Sequence, residues 1–523
     1  MISILRGTGT SLPHAQPAAS QHLARSVHLA SVSVLDVLKT AGGGSGKHGD
    51  EYPVTPLHLL DACASRMEAY KNSHALAEET LTKARDQAAD GEAKWMAGQP
   101  TSVLDGIPLA VKGNFALKDI PMNTARTQLL RDNVPSECAS LVKKLSGAGS
   151  VFSGKTDVNE FGIGAVEMTV QPEAVLSTWY STDDKSSEAR FVGGGTAYLG
   201  VVGLKTSKGR LSRQGLLSVA GGLETPGVVA RTVSDAALLL AILQDKDTGR
   251  CMKVAKLLDT AADQPVQLHD ALPALLGFSE GQHPLQGLRV GVVELSSHGV
   301  HISESQTEAF KQGISCLEKA GAKVEKIELP DLLHSVGAMY HLATAEMLSG
   351  SNSFKRALKE LGLSQANTSE EVYEEVCSIL SATRSRGLEL SGQSDMTDDK
   401  ASSVASTFAD KLKQVDIILM PSAPGAAPTV AEASQWGNDQ LLSIDAINAP
   451  ASLGGAPALT VPIALTSAEG LPLGLQVLAG PSQEALMLAV GHVLEMGAQS
   501  EFRGSLLAPL HAPAKGKAPI STV

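Results

Sequence analysis

Lys112 closes the apolar run of "LDGIPLAVKGN", Leu104 to Asn114, and sits between Val111 and Gly113. Short apolar runs bounded by Gly and Pro read as strands and tight turns, so this run would carry the lysine into the interior. An ammonium stripped of water favours its neutral form, and a neutral amine can take a proton from a nucleophile. The plainer alternative is a surface lysine on a turn, with its stem on apolar surface and its charge in water.

Two other spacings suggest chemistry and fail on context. "GSVFSGKT", Gly149 to Thr156, satisfies the phosphate-loop pattern G-x-x-x-x-G-K-[ST]. A working phosphate loop comes after a strand and opens a helix, so that free backbone N–H groups face the phosphate. Here the preceding segment reads as a helix, Val151 and Phe152 stand where small residues are needed, and "DVNEFGIG" is a poor helix. His298 and His301 in "HGVH" have no third ligand at metal spacing, so they read as a loop after a strand and no metal site is expected. Neither H-E-x-x-H nor G-x-S-x-G occurs.

The elements that must position Lys112 are legible in order. After the glycine-rich connector "AGGGSGKHGDEY", Thr55 can cap a helix with Pro56 at its first position. "SECASLVKKLSGAG" reads as an amphipathic helix stopped by Gly147 and Gly149, and "SVFSGKTDVNEFGIG" as a strand running into a loop. "LRVGVVEL", "SESQTEAFKQGISCLEKAGA" and "KVEKIELP" spell a βαβ unit. "VDIILMPSAP" reads as a buried strand, "ALTVPIAL" and "LPLGLQVLAG" as two strands joined by a turn, and "SQEALMLAVGHVLEMG" as a closing helix. The fold class is therefore α/β, with no solenoid-like repeat.

These segments, in this order, resemble the amidase signature family from about Val34 to Glu495. "DGIPLAVKGN" is similar to that family's G-[IV]-P-x-x-[VL]-K-D-N. "LVKKLSGAGSVFSGKTDVNEFGIG" is similar to its L-x-x-A-G-A-x-x-x-G-K-T-N-x-x-E-F, which turns the apparent phosphate loop into a family strand. "GVVGLKTSKGRLSRQGLLSVAGGLETPGVVARTVSDAALLL" is similar to the family's next block. The resemblance implies a mixed β-sheet core covered by helices on both faces. "ATAEMLSGSNS" and "SIDAINAPASLGGAPALTVPIA" to "GLPLGLQVLAG" resemble, within the family, the A-type subunits of glutamine-dependent tRNA amidotransferases. That branch implies that Asp445 pairs with the α-ammonium of bound glutamine, a task suited to a carboxylate. A turn aspartate is the alternative.

In such enzymes the lysine takes a proton, through a serine preceded by a cis peptide, from a second, nucleophilic serine. Glycine-rich backbone N–H groups then hold the oxyanion. Two blocks supply these serines, G-G-S-S-G-G-S and T-D-T-G-G-S-[IV]-R. Here "RFVGGG", Arg190 to Gly195, resembles the start of the first block. "TAYLGVVGLK", Thr196 to Lys205, resembles the stretch on the C-terminal side of the second. Both serines, and the arginine that would clamp the glutamine carboxylate, fall in the gap at 195/196. Ser186 and Ser187 lie in the charged stretch "DDKSSEAR", and Ser212 lies in "KGRLSRQG" outside the family's serine positions, so none reads as a replacement. Further departures are Gly113 for Asp, Thr206 for Pro, and "ATRSRGLELSG" without the family's F-G-x-E-V-x-R-R-I. Losing a helix and strand from an α/β core would leave apolar surface and unpaired strand edges, a severe loss against a folding margin of about 5 to 15 kcal/mol. A segment removed by splicing and a stable, catalytically silent chain are both open.

Composition bounds the rest. With 523 residues and 43% hydrophobic content the chain can bury a large core. Its longest apolar runs, Ala236 to Leu243 and Ala485 to Leu494, are too short to span a bilayer. A net charge of −12 and 3% aromatic residues exclude a direct grip on nucleic acid by cationic or stacking surfaces. The five cysteines, Cys63, Cys138, Cys251, Cys316 and Cys377, are scattered, as expected of core thiols in a reducing compartment. The first acidic residue is Asp36, and the basic, serine-rich stretch before it reads as a mitochondrial presequence over 1–30. The amidase-like domain would span 31–505 and a flexible tail 506–523.

The resemblance implies a chain that frees ammonia from glutamine and holds no cofactor itself. A tRNA-binding B-type subunit would use ATP and Mg, and a small C-type or F-type subunit would complete the complex. The alternatives are a non-catalytic scaffold in the same complex, which the absent serines favour, and a stand-alone amidase.

Overall fold

The computed structural model describes residues 2–3, 55–69, 76–122, 133–158, 195–218, 220–244, 284–329, 332–348, 396–435 and 438–506, with isolated residues between 359 and 388. One mixed sheet organises them. Its strands are β1 (Ile2–Ser3), β2 (Leu76–Glu79), β3 (Pro108–Lys112), β4 (Val151–Thr156), β5 (Val202–Lys205), β6 (Gly227–Ala230), β7 (Arg289–Val293), β8 (Lys323–Ile327), β9 (Ile417–Pro421), β10 (Ala458–Leu465) and β11 (Pro472–Ala479). They lie side by side in the order β2-β4-β3-β1-β6-β5-β10-β11-β9-β7-β8. The described helices are α1 (Pro56–Ala69), α2 (Leu81–Met96), α3 (Ser140–Gly147), α4 (Val233–Leu243), α5 (Glu304–Lys319), α6 (Leu332–Leu348), α7 (Asp398–Gln414), α8 (Val430–Ser434), α9 (Asn438–Leu453) and α10 (Glu484–Leu506).

Strand periodicity explains the layers. Along β9, Ile417 and Leu419 join one core with Leu475 and Val477 of β11 and with Met487 and Leu494 of α10. Ile418 and Met420 face the other way, into a second core with Tyr340 of α6, Phe408 of α7 and Ile447 of α9. Successive side chains of a strand point to opposite faces, so an unbroken apolar run serves a sheet covered on both sides. The helices do cover both faces, as the family resemblance implied.

Local signals hold where they were read. Thr55 Oγ1 accepts from the His58 N–H at 3.4 Å, with Pro56 opening α1. Helix α3 buries Leu141, Val142 and Leu145 and gives way to Gly149, whose φ of 86° is left-handed backbone. A Cβ there would lie 2.3 Å from Asp105 Oδ1, so glycine is required twice over. The βαβ unit forms as β7, α5 and parallel β8, and β10 and β11 form an antiparallel pair. The closing helix α10 runs further than the segment read for it, to Leu506.

Within the sheet, β1 separates β3 from β6. Ile2 and Ser3 pair antiparallel with Val111 and Ala110, and parallel with Val228 and Val229. The inner edges of β6 and of β3, the strand that carries Lys112, are thus engaged over two residues. Of the presequence stretch 1–30 only these two residues are described. The glycines of "RFVGGG" before Gly195, with Ser186 and Ser187, and the tail beyond Leu506 lie outside the described residues.

Candidate active site

Lys112 is the last residue of β3, and its Cα pairs in register with Thr156 at the end of parallel β4. The chain turns sharply after it. The Gly113 N–H donates to Thr156 O at 3.0 Å, and the Phe115 N–H returns to Lys112 O at 3.0 Å. Next to the turn runs the 215–217 segment, whose Leu217 N–H donates to Asn114 O at 2.9 Å. The side chain keeps some exposed surface, yet the protein around it desolvates the ammonium and pushes its pKa down; Glu224 opposes that shift only in part. Lys112 thus ends a buried strand with its side chain partly exposed, directly before a turn.

Asp445 lies on α9, half-buried, and its Oδ2 accepts the Tyr340 hydroxyl of α6 at 2.8 Å. Burial first, then the charge of Asp445, drives the Tyr340 pKa well up, so the phenol stays a donor. Asp445 stands within a helix and not in a turn.

Among the described residues, helix α6 bonds both to the loop that carries Glu224 and to Asp445. Glu224, whose field reaches Lys112, accepts the Ala220 N–H at 3.0 Å. Inside that loop the Gly222 N–H donates to Glu346 Oε2 at 2.7 Å, and Glu346 lies on α6 with Tyr340. The same helix thus touches the loop of Glu224, whose charge acts on Lys112, and the carboxylate on α9.

Two further lysines share the setting of Lys112. Lys155 of β4 is fully buried and donates to Pro121 O at 2.8 Å; burial lowers its pKa to about 7 against the weaker pull of Glu78. Lys205 ends β5, and burial lowers its pKa to about 8, opposed by Glu484. Lys155 is the lysine of the apparent phosphate loop. It sits inside a strand preceded by a helix, with its amine turned onto a backbone carbonyl, so the motif has no phosphate-binding geometry.

The sequence junction is a 3-10 turn, Gly195–Tyr198. It packs so closely on β5 that a Cβ at Gly203 would lie 2.2 Å from Thr196 Oγ1. Tyr198 is 2% exposed, so the junction is part of the core. Ser212 is exposed and its Oγ accepts from the Gln214 N–H at 3.2 Å, a turn contact on the surface.

His298 lies in a 3-10 turn directly after β7, and no group of metal-ligating side chains forms among the described residues. No described helix is long and apolar enough to cross a membrane. Cys63, Cys138, Cys316 and Cys377 are free thiols, and burial raises Cys63 to about 12, as befits a core thiol.

Known proteins share this fold. The model of the family described as Amidase matches residues 58–171 and 196–488, so the match resumes at Thr196, the first residue after the junction. The A-type subunit of the mitochondrial glutamyl-tRNA(Gln) amidotransferase of Anopheles gambiae is 26% identical over 486 residues, covering 84% of this chain and 94% of that one. The A-type subunit of the glutamyl-tRNA(Gln) amidotransferase of Rickettsia bellii is 28% identical over 514 residues, covering 88% and 97%. Among solved structures, the native peptide amidase of Stenotrophomonas maltophilia aligns with a TM-score of 0.61 at 21% identity, covering 90% of this chain and 98% of that one. A bacterial aryl acylamidase of the amidase signature family aligns with a TM-score of 0.62 at 16% identity, covering 92% and 99%.

Proposed function

Because this chain belongs to the amidase family, an enzyme class of amide and amidotransferase chemistry, we propose that it serves as an A-type subunit of a glutamine-dependent tRNA amidotransferase. In this reading it binds glutamine, releases ammonia from the side-chain amide, and passes the ammonia to a B-type subunit. The partner holds Glu-tRNA(Gln) and spends ATP with Mg to complete Gln-tRNA(Gln). A small C-type or F-type subunit joins them, and the complex works in mitochondria. The chain itself needs no cofactor.

The observation that carries this reading is Asp445, a carboxylate fixed by the Tyr340 hydroxyl at 2.8 Å on a helix of the same sheet assembly as Lys112. A fixed carboxylate suits the α-ammonium of a free amino acid, which a peptide or aryl amide does not present. Lys112 contributes a desolvated amine. When neutral it would accept the proton of an attacking hydroxyl as its oxygen adds to the amide carbonyl; on collapse of the adduct Lys112 would return that proton to the nitrogen, which leaves as ammonia, with the acyl group left on the attacking oxygen.

A specific feature favours a second reading. The serine blocks that would supply the hydroxyl and its relay do not stand between Gly195 and Thr196, where the family order would put them. A chain so built would keep its place in the complex, and even glutamine binding, without turnover.

Co-expression with a B-type subunit separates these readings. Co-purification with ammonia release from glutamine supports the glutaminase; co-purification without ammonia supports the scaffold; ammonia release from simple amides without co-purification supports a stand-alone amidase.

A further inference from the structure

We propose that Lys205 is a positioning residue for Asp445: its ammonium ties the C-terminal end of α9 to β5 and so sets where α9 presents the Asp445 carboxylate. Lys205 Nζ donates to Ala456 O at 2.8 Å and to Ala451 O at 3.3 Å. Ala451 lies in the last turn of α9, where its carbonyl also accepts the Ala456 N–H at 3.1 Å, so Lys205 adds a cation to a backbone-capped helix end that carries partial negative charge. A cation is the group that such an end favours.

Helix α9 needs this tie because of its own sequence. Pro450 lies inside it and has no N–H, which removes the bond that residue 450 would otherwise give to Ala446 O. The weakened segment stands between Asp445 and Ala451. Asp445 is only about 9 Å along the axis from the clamped turn at 1.5 Å per residue, so motion of that turn reaches the carboxylate.

The other end of the tie is firm. Glu484, at the start of α10, accepts the Ser207 N–H at 2.9 Å and lies 3.8 Å from Arg210 Nε. The Ser482 N–H donates to Ser207 Oγ at 2.8 Å. The end of β5 is thereby fixed to the start of α10, and Glu484 supplies a negative field that partly opposes the lowering of the Lys205 pKa by burial.

The inference rests on the reading of Asp445 as the glutamine contact, and the test separates the two. In the full chain, backbone hydrogen exchange over α9 and the glutamine dissociation constant are measured for wild type, Lys205→Met, Lys205→Arg, Asp445→Asn and the double variant Lys205→Met with Asp445→Asn. Lys205→Met should speed exchange over 438–453 at least tenfold without changing α10, and weaken glutamine about tenfold. Lys205→Arg should recover most of both. The methionine change should weaken binding less than twofold further once Asp445 is Asn, because its effect passes through that carboxylate. Unchanged α9 exchange in a folded Lys205→Met chain overturns the proposal, as does an equal loss of affinity in both backgrounds. If wild type binds no glutamine, the Asp445 reading fails by itself and exchange still decides the role of Lys205. Should Lys205→Met not fold, Lys205→Gln carries the same comparison.

Discussion

The Tyr340 hydroxyl donates to Asp445 Oδ2 at 2.8 Å across the interface of α6 and α9, joining the second core to the candidate substrate carboxylate. Tyr340 is 7% exposed, so this bond forms away from bulk water. Removing the hydroxyl leaves a half-buried carboxylate short of one donor. Hydrogen bonds to charged groups contribute about 1.5 to 3 kcal/mol. Tyr340→Phe should therefore lower the unfolding free energy by about that much and weaken glutamine by about tenfold or more, both read by denaturant titration and calorimetric binding. An unchanged glutamine affinity in this variant would detach Asp445 from the site.

Lys155 predicts a pH dependence of stability with a definite sign. Its pKa is about 7 when folded and near the ordinary lysine value of 10.5 when unfolded. Between these pH values the unfolded chain binds more protons at this position, so its contribution to unfolding free energy rises with pH, by up to about 1.4 kcal/mol per pH unit. Below pH 7 both forms carry the proton and the contribution is flat. Lys155→Met removes the titrating group, so the difference between wild type and variant should change across pH 7 to 10 and level off below 7. A constant difference in denaturant midpoints across that range contradicts the buried placement.

The junction at Thr196 makes its own prediction. Gly203→Ala would place a methyl 2.2 Å from Thr196 Oγ1 and 2.7 Å from its Cβ. Overpacking of this kind costs about 1 to 3 kcal/mol. Thr196→Gly in the same chain should return part of that loss, a coupling visible in a double-mutant cycle of thermal midpoints. Additive effects would mean that the 3-10 turn does not rest on β5.

Much of this was legible because the signals were local. The strand "IILMP" announces burial on both faces by its unbroken apolar run, and Thr55 with Pro56 announces a helix start by capping chemistry. Lys112 was legible for the same reason, since it ends an apolar run. The same signal marks two more: "SVFSGK" and "GVVGLK" also close on a lysine, and Lys155 and Lys205 are also desolvated. The features that could not be read are long-range. Tyr340 stands 105 positions from Asp445, and Glu346 stands 124 from Gly222. Such partners meet only through the packing of α6, and no spacing in the chain announces them. Nor did any local signal announce Ile2–Ser3 between β3 and β6, because two residues carry no periodicity.

The most direct test of the central claim is glutamine binding by the chain in complex with a B-type subunit, measured by calorimetry for wild type and Asp445→Asn and accompanied by an ammonia assay for wild type and Lys112→Met. The account predicts saturable binding that Asp445→Asn weakens at least tenfold, and any ammonia release lost in Lys112→Met while binding persists. Absence of glutamine binding by the wild-type complex, or equal affinity in Asp445→Asn, would contradict it.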